Sequence, residues 1–236
     1  MTPPLLEPLG DSAVLATFAT EAEAARWARA VRAARLPGVV DVGLAYATAA
    51  VYADPDGVED WDAWARLLAA VEVDDDSLIE PGRVLQIPVW YVGADLGAVA
   101  RAIDATEDEV VALHSGRDYQ VFAVGFQPGF PYAGYLTDRL AGLARRPSPR
   151  TRVPAGSVAI AGRQTGIYPG ESPGGWHLLG RTPCRIADLA AGDFAIEPGD
   201  WLRFEPISAA EFEQLETWNA MPVAVRAHGE IQTGLS

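Results

Sequence analysis

The stretch that decides the architecture reads GFQPGFPYAGYL at residues 125–136 and PSPRTRVPAGSVAIAGRQTGIYPGESPGGWHLLGRTP at residues 147–183. Around it, the short apolar segments YQVFAVGF, RVPAGSVAIAG, TGIYP, WHLLGR and DWLRFEPI are punctuated by glycine and proline turns. Closely spaced turns between short apolar runs predict a β domain from about residue 119 onward, built as a barrel or a sandwich. The charge of the stretch is also distinctive. The whole chain carries a formal charge of -14, yet residues 119–183 hold seven arginines (139, 145, 146, 150, 152, 163 and 181) against two acids, Asp138 and Glu171. Net positive charge gathered among prolines, glycines and aromatic rings suits a pre-set pocket for a small anion.

Upstream, the texture is different. Ser12–Phe18 reads as a strand, and Thr20 with Glu23 forms a capping box for a helix running to about Arg35. Ala24, Trp27, Val31 and Ala34 recur at helical spacing, and Pro37-Gly38 stops the helix. Strands follow at Val39–Tyr46 and Ala49–Ala53, then a second helix marked by Val58, Trp61, Trp64, Leu68 and Val71, then a strand at Val84–Tyr91. The order β-α-β-β-α-β predicts a ferredoxin-like split unit. Pro88 suggests that its last strand is an edge or ends there. Two short helices are expected at 95–104 and 106–116, the second capped by Thr106 and Glu109, and a late helix at 208–218 capped by Ser208 and Glu211. The predicted division is a 1–92 α+β domain, a 93–118 helical connector and a 119–236 β domain. The acidic run at 74–76 reads as a solvated linker.

Composition narrows the function. No run approaches the length of a membrane span, the N-terminus MTPPLLEPLGD lacks the pattern of a secretory signal, and Cys184 is the only cysteine. These features point to the cytoplasm. The acidic balance argues against nucleic acid and membrane surfaces as partners. All eighteen basic residues are arginine, which excludes a P-loop lysine, a Schiff-base lysine and a biotinyl-lysine on this chain. The three histidines, 114, 177 and 228, lie far apart, so no metal site is expected.

Several groups suit an anionic, amide-like ligand. Pro128-Gly129 is a type II turn candidate that would carry Phe126, Phe130 and Tyr132 around a bend. Arg150 and Arg152 would share one face of a strand and could clamp a carboxylate or phosphate. Gln164, Thr165 and Tyr168 offer an amide, a hydroxyl and a phenol within five residues. The turn at Glu171–Trp176 could present backbone N–H groups to an anion. Trp176 and His177 would face opposite sides of a strand, so only one of them meets a pocket. Cys184 reads as a small buried hydrophobe.

GFQPGFPY, PRTRVPAGSVAIAG, QTGIYP and SPGGWHLLGRTP, with GDSAVLATF and LHSGRDYQVFAVGF, resemble the B-subunit family of the bacterial ATP-dependent 5-oxoprolinase. That family is also called allophanate hydrolase subunit 1 or the sporulation-kinase inhibitor family. The resemblance covers roughly residues 8–207. It implies an α+β N-terminal ferredoxin-like domain followed by a cyclophilin-like β-barrel. It further implies a heteromeric complex with a C-type partner and a third component, a small anionic substrate, and ATP (as Mg-ATP) bound at a composite site, with no biotin on this chain. The activity implied is the opening of 5-oxo-L-proline to L-glutamate. Two other readings accompany it: a carboxyltransferase component acting on urea or a similar amide, and an inhibitor of a histidine kinase. Carried onto this sequence, the candidate catalytic residues are Arg152, Gln164, Tyr168 and His114. The candidate binding residues are Phe126, Gly129, Phe130, Arg150, Ser157, Thr165, Gly174, Gly175, Trp176 and Arg181.

Overall fold

The computed structural model of the chain describes residues 4–73, 83–217 and 222–227. The acidic run at 74–76, Trp218 and His228 lie outside the described residues. The chain divides into two compact units, residues 1–80 and 81–236.

The first unit contains β1 (Leu5–Leu9), β2 (Ala13–Thr17), α1 (Glu21–Ala34), β3 (Val39–Ala45), β4 (Thr48–Ala53) and α2 (Trp61–Ala69). Its four strands form an antiparallel sheet in the order β1-β2-β4-β3. Helix α1 starts where the capping box predicts. The Thr20 hydroxyl accepts from the Glu23 N–H at 3.3 Å, and the Glu23 carboxylate accepts from the Thr20 N–H at 3.1 Å. Such a cap stabilises a helix by about 1 kcal/mol. Ala24, Trp27, Ala28 and Val31 form the buried stripe of α1, and Trp64 and Leu68 that of α2. Trp27, Ala28, Val31, Trp64 and Leu68 belong to one core with Val42 and Val51 of the sheet, and Ala24 is fully buried.

One strand departs from the predicted split unit. Val84–Tyr91 was expected to complete the first sheet, but Arg83–Val89 (β5) pairs with strands of the second unit. The fourth strand of the first sheet is instead Leu5–Leu9, at the sheet edge. Pro8 disguises it in the sequence, and an edge position tolerates the missing N–H.

The second unit begins with β5, α3 (Leu96–Ala102) and α4 (Glu107–Ser115), followed by β6 (Asp118–Val124), β7 (Pro131–Gly134) and β8 (Arg150–Val153). Next come β9 (Ser157–Ala161), β10 (Gln164–Ile167), β11 (Ser172–Gly174) and β12 (His177–Arg181). The short β13 (Ala187–Asp188) and β14 (Asp193–Phe194), then β15 (Trp201–Pro206), α5 (Ala209–Thr217) and β16 (Val223–Ala227) complete it. Eight strands make one mixed sheet in the order β12-β9-β10-β7-β6-β15-β5-β16, in which β5 and β15 are parallel. β16 covers β5 only as far as Gln86, so Pro88 lies beyond that pairing. β8 and β11 form a separate two-stranded antiparallel sheet.

The expected closed barrel is not formed. The sheet curls until Trp90, just past β5, exchanges two backbone hydrogen bonds of 2.9 Å with Arg181 of β12, and this contact is a single bridge rather than a strand pair. The core inside the curl is built from Ile87, Tyr119, Ile160, Ile167, Leu179 and Phe204 with their neighbours. A second cluster, centred on Phe130, Tyr168 and Trp176, lies against the other side of β9. Because every residue of β9 is buried, this strand separates the two cores.

Candidate functional site

The Phe130 cluster opens into a cavity of about 300 Å³. The Pro128-Gly129 turn builds one wall. The Phe130 N–H donates to the Gln127 carbonyl at 3.1 Å, and Gly129 has the positive φ of 84° that a type II turn requires at its third position. The turn buries Phe130 and leaves Phe126 66% exposed at the cavity mouth. Phe126 itself has φ 67°. A large aromatic residue held in left-handed backbone costs on the order of 1–3 kcal/mol.

Phe130 is the hub of an aromatic box. Its ring meets those of Tyr132, Tyr168 and Trp176 edge-on at 5.0, 5.1 and 5.3 Å, and that of Phe126 at 5.7 Å. Each such pair adds about 0.5–1.5 kcal/mol beyond area burial, so the walls are stiff. Gly174 closes the box because a Cβ there would stand 2.3 Å from the Tyr168 hydroxyl. Burial pushes the Tyr168 phenol up, while the hydrogen-bonding Trp176 backbone and the charges of Arg145 and Arg150 pull it down.

The cation lining this cavity is Arg145. None of the ion pairs formed among the described residues involves it. Its backbone is nevertheless fixed from both sides. His177 Nε2 donates to the Ala144 carbonyl at 2.8 Å, and the Arg146 N–H donates to the Gly175 carbonyl at 2.7 Å. Trp176 thus faces the cavity while His177 turns away to hold the segment before Arg145, as strand alternation predicts.

Behind this segment sits Asp95, 2% exposed. Its Oδ1 accepts from Arg146 Nη1 at 2.7 Å and Arg150 Nη2 at 2.8 Å, and its Oδ2 accepts from the Leu178 N–H at 2.8 Å. Burial alone would raise the Asp95 carboxyl, but the hydrogen bonds from Arg150 and Leu178 and the two guanidinium charges hold it below the usual carboxylate range. One carboxylate therefore ties together the segment before β8, β8 itself and β12.

The predicted two-arginine clamp is not open to a ligand in this arrangement. Arg150 is engaged by Asp95, and Arg152 is 75% exposed and paired with Glu171 at 2.5 Å. Each guanidinium meets an acid of the chain itself. Arg181, also outside the cavity, pairs with Glu216 at 3.3 Å and lies over the Phe212 ring.

His114 is fully buried. Its Nδ1 meets the Tyr91 hydroxyl at 2.7 Å and its Nε2 the Thr165 hydroxyl at 2.8 Å, with Phe204 and Tyr119 against its ring. Thr165 donates its proton to the Ala159 carbonyl at 3.2 Å, so it accepts from His114 Nε2–H, and Nδ1 accepts from Tyr91. Burial lowers the His114 pKa to about 3. This neutral, satisfied histidine and Thr165 belong to the core inside the curl, not to the cavity. Ser157 is likewise internal, donating to the Pro154 carbonyl at 2.8 Å. Gln164 lies half-buried in β10, paired with Ala161 and Gly134, and does not line the cavity. Gly175 does line it, and Cys184 is buried.

Of the sequence candidates, the fold brings together Phe126, Phe130, Tyr168, Gly174, Gly175 and Trp176 at one cavity, with Gly129 in its supporting turn. Arg145, Pro149 and Tyr132 join them. Arg145 appeared in the sequence only as one of seven arginines; the signal that could have found it is its place beside the PSP segment leading into β8.

The curled mixed sheet has counterparts among solved structures, and the sequence has relatives among known proteins. Residues 4–196 match the family described as "Carboxyltransferase domain, subdomain C and D", and the chain belongs to that family. Within it, the 5-oxoprolinase B subunit of Escherichia coli O157:H7 is 41% identical over 186 residues, covering 76% of this chain and 84% of the relative. The 5-oxoprolinase B subunit of Bacillus subtilis (strain 168) is 40% identical over 134 residues, 55% of each chain. Among solved structures, TTHA0988 superposes with a TM-score of 0.75 at 37% identity, covering 87% of this chain but 41% of that one. The Kluyveromyces lactis urea amidolyase superposes with a TM-score of 0.71 at 18% identity, covering 94% of this chain and 16% of that one, which is a likeness of fold. Among the described residues, no helix is long and apolar enough to cross a membrane.

Proposed function

We propose that this chain is the B subunit of an ATP-dependent 5-oxoprolinase, working with a C-type partner and a third component in the cytoplasm to open 5-oxo-L-proline to L-glutamate. The observation that carries this reading is the 41% identity to a 5-oxoprolinase B subunit across 84% of that relative. The finer description of the fold, a ferredoxin-like first unit and a cyclophilin-like second unit, belongs to the same proposal.

The chemistry is compatible with the site. A γ-lactam is resonance-stabilised, so water opens it slowly. Transfer of the ATP γ-phosphoryl group to the lactam oxygen makes the ring carbon electrophilic. Addition of water and cleavage of the C–N bond, with the nitrogen taking a proton, gives an acyl phosphate that a second water converts to glutamate and phosphate. Substrate, intermediates and glutamate each carry a carboxylate, which Arg145 at the edge of the apolar walls would hold. The cavity has neither a lysine nor a Gly-x-x-x-x-Gly-Lys cradle, and about 300 Å³ is small for a nucleotide. ATP is therefore assigned to a site that the partner chains complete. The reading predicts 5-oxoproline-dependent release of ADP and glutamate by the reconstituted three-component complex, and absence of that turnover would sink it.

The family description also favours a second reading, a carboxyltransferase component acting on a urea-type amide. With no lysine in the chain, biotin would have to arrive on another protein. Biotin-dependent carboxylation by the complex, in place of lactam opening, would select that reading.

A further inference from the structure

We propose that the aromatic cavity is by itself a binding site for a small five-membered ring bearing one carboxylate, with the five rings enclosing the ligand ring and Arg145 taking the carboxylate. This deepens the 5-oxoprolinase reading and rests on it only for the choice of 5-oxoproline among such ligands.

Four observations point to that ligand class. The first is charge. The seven arginines of residues 119–183 divide by what they hold, and the one lining the cavity forms none of the ion pairs among the described residues. No acid among the described residues lines the cavity, so an anion entering it meets a cation without a like-charge penalty. The second is preorganisation. Ala144 and Arg146 are each hydrogen-bonded to the strand and turn that carry Trp176, so the backbone that carries Arg145 is fixed relative to the box while its exposed side chain is left to meet a ligand. The third is Phe126. An aromatic ring 66% exposed and carried on left-handed backbone is unfavourable twice over in the free chain. A ring at the mouth of a cavity offsets its exposure when it covers a bound ligand, and a strained backbone kept at such a place marks a functional position. The fourth is size. About 300 Å³ lies at the low end of ligand pockets, about 300–1,000 Å³. That volume suits one small ring with its substituent.

The test uses the full chain and four probes: 5-oxo-L-proline, cyclopentanecarboxylate, 2-pyrrolidinone and acetate. Binding is followed by saturation-transfer NMR and isothermal titration. Both cyclic carboxylates should bind saturably in the millimolar range and compete with each other. The ring without a carboxylate and the carboxylate without a ring should each bind about tenfold more weakly, the loss of one charged hydrogen-bonding partner or of the apolar contact. Arg145→Gln should weaken the cyclic carboxylates about tenfold and leave 2-pyrrolidinone unchanged. Phe126→Ala should weaken all three ring ligands. Absence of saturable binding by both cyclic carboxylates, or an affinity for them in Arg145→Gln equal to that of the wild type, overturns the proposal. The two readings fail separately. If cyclopentanecarboxylate binds but 5-oxoproline does not, the site stands and the 5-oxoprolinase reading loses its ligand. If the complex opens 5-oxoproline with the same KM in Arg145→Gln, the activity stands and the site is overturned.

Discussion

Two aromatic pockets of polar groups lie on opposite sides of β9, and they differ in what they leave unused. Around His114, the histidine, Tyr91, Thr165 and the Ala159 carbonyl exchange hydrogen bonds in a closed chain, packed by Tyr119 and Phe204. Around Phe130, the rings are just as densely arranged, but the cavity between them is open and its cation has no acid partner among the described residues. Both regions carry family-motif residues. Residue type does not separate a structural cluster from a binding site; unused bonding capacity at an accessible surface does. A buried network that satisfies every donor and acceptor gains rigidity and has nothing left for a ligand.

The largest effect is expected from His114→Leu. It leaves the Tyr91 and Thr165 hydroxyls without their partner, which should destabilise the second unit by about 3 kcal/mol. A lower urea midpoint with an unchanged m-value is expected, and little change would mean that the closed network is not holding the fold. The pH profile sharpens the point. Folded His114 stays neutral down to about pH 3, whereas an ordinary histidine titrates near 6.5. Between those values the unfolded chain binds the extra proton. His114's contribution is therefore complete above 6.5 and is lost as pH falls, by up to about 1.4 kcal/mol per pH unit. Asp95, held below its usual 3.8, adds a loss of the same sign only at lower pH. His114→Leu should flatten the profile between about 6.5 and 4, where carboxylates with ordinary pKa values contribute little.

Much of the architecture was legible in the sequence, because local signals report local structure. The capping boxes at Thr20, Thr106 and Ser208 each start a helix, and Pro128-Gly129 makes its type II turn. Pairing partners were less legible. β5 looks like the last strand of the first unit because nothing within Val84–Tyr91 reveals a parallel partner such as β15, more than a hundred residues on. The same limit hid the state of the arginines. Strand alternation put Arg150 and Arg152 on one face, but Asp95, in what read as a helical connector, lies 55 positions from Arg150 and claims it. Whether a cation is free is a property of the tertiary structure, and so Arg145 was indistinguishable from its six companions.

A smaller effect is expected at the floor of the open pocket. Gly174→Ala would put a methyl 2.3 Å from the Tyr168 hydroxyl, and the phenol must shift. Overpacking of this kind costs about 1–3 kcal/mol, and the displaced ring should reduce cyclic-carboxylate binding more than it reduces stability. Gly175→Ala is the matched control, since its methyl would find ordinary contacts at 3.7 Å. If the two variants bind ligand equally well, the box is not shaped by the Gly174–Tyr168 contact.

The smallest effect should come from Arg152, and it decides between the two ways of assigning the basic region. Strand alternation makes Arg152 half of an anion clamp, and on that reading Arg152→Ala lowers ligand affinity as much as Arg145→Gln does. The geometry makes it one side of a surface ion pair, 75% exposed against a half-exposed Glu171. Pairs this exposed contribute about 0–1 kcal/mol. A double-mutant cycle of Arg152→Ala and Glu171→Ala in urea denaturation should therefore return a coupling within that range, with ligand affinity close to that of the wild type. A fall in affinity only when Arg152 is removed would restore the clamp. A fall when either partner is removed would instead mean that the pair braces the two-stranded β8–β11 sheet that carries Gly174, so that the boundary between the self-satisfied and the open region runs further out than the cavity lining.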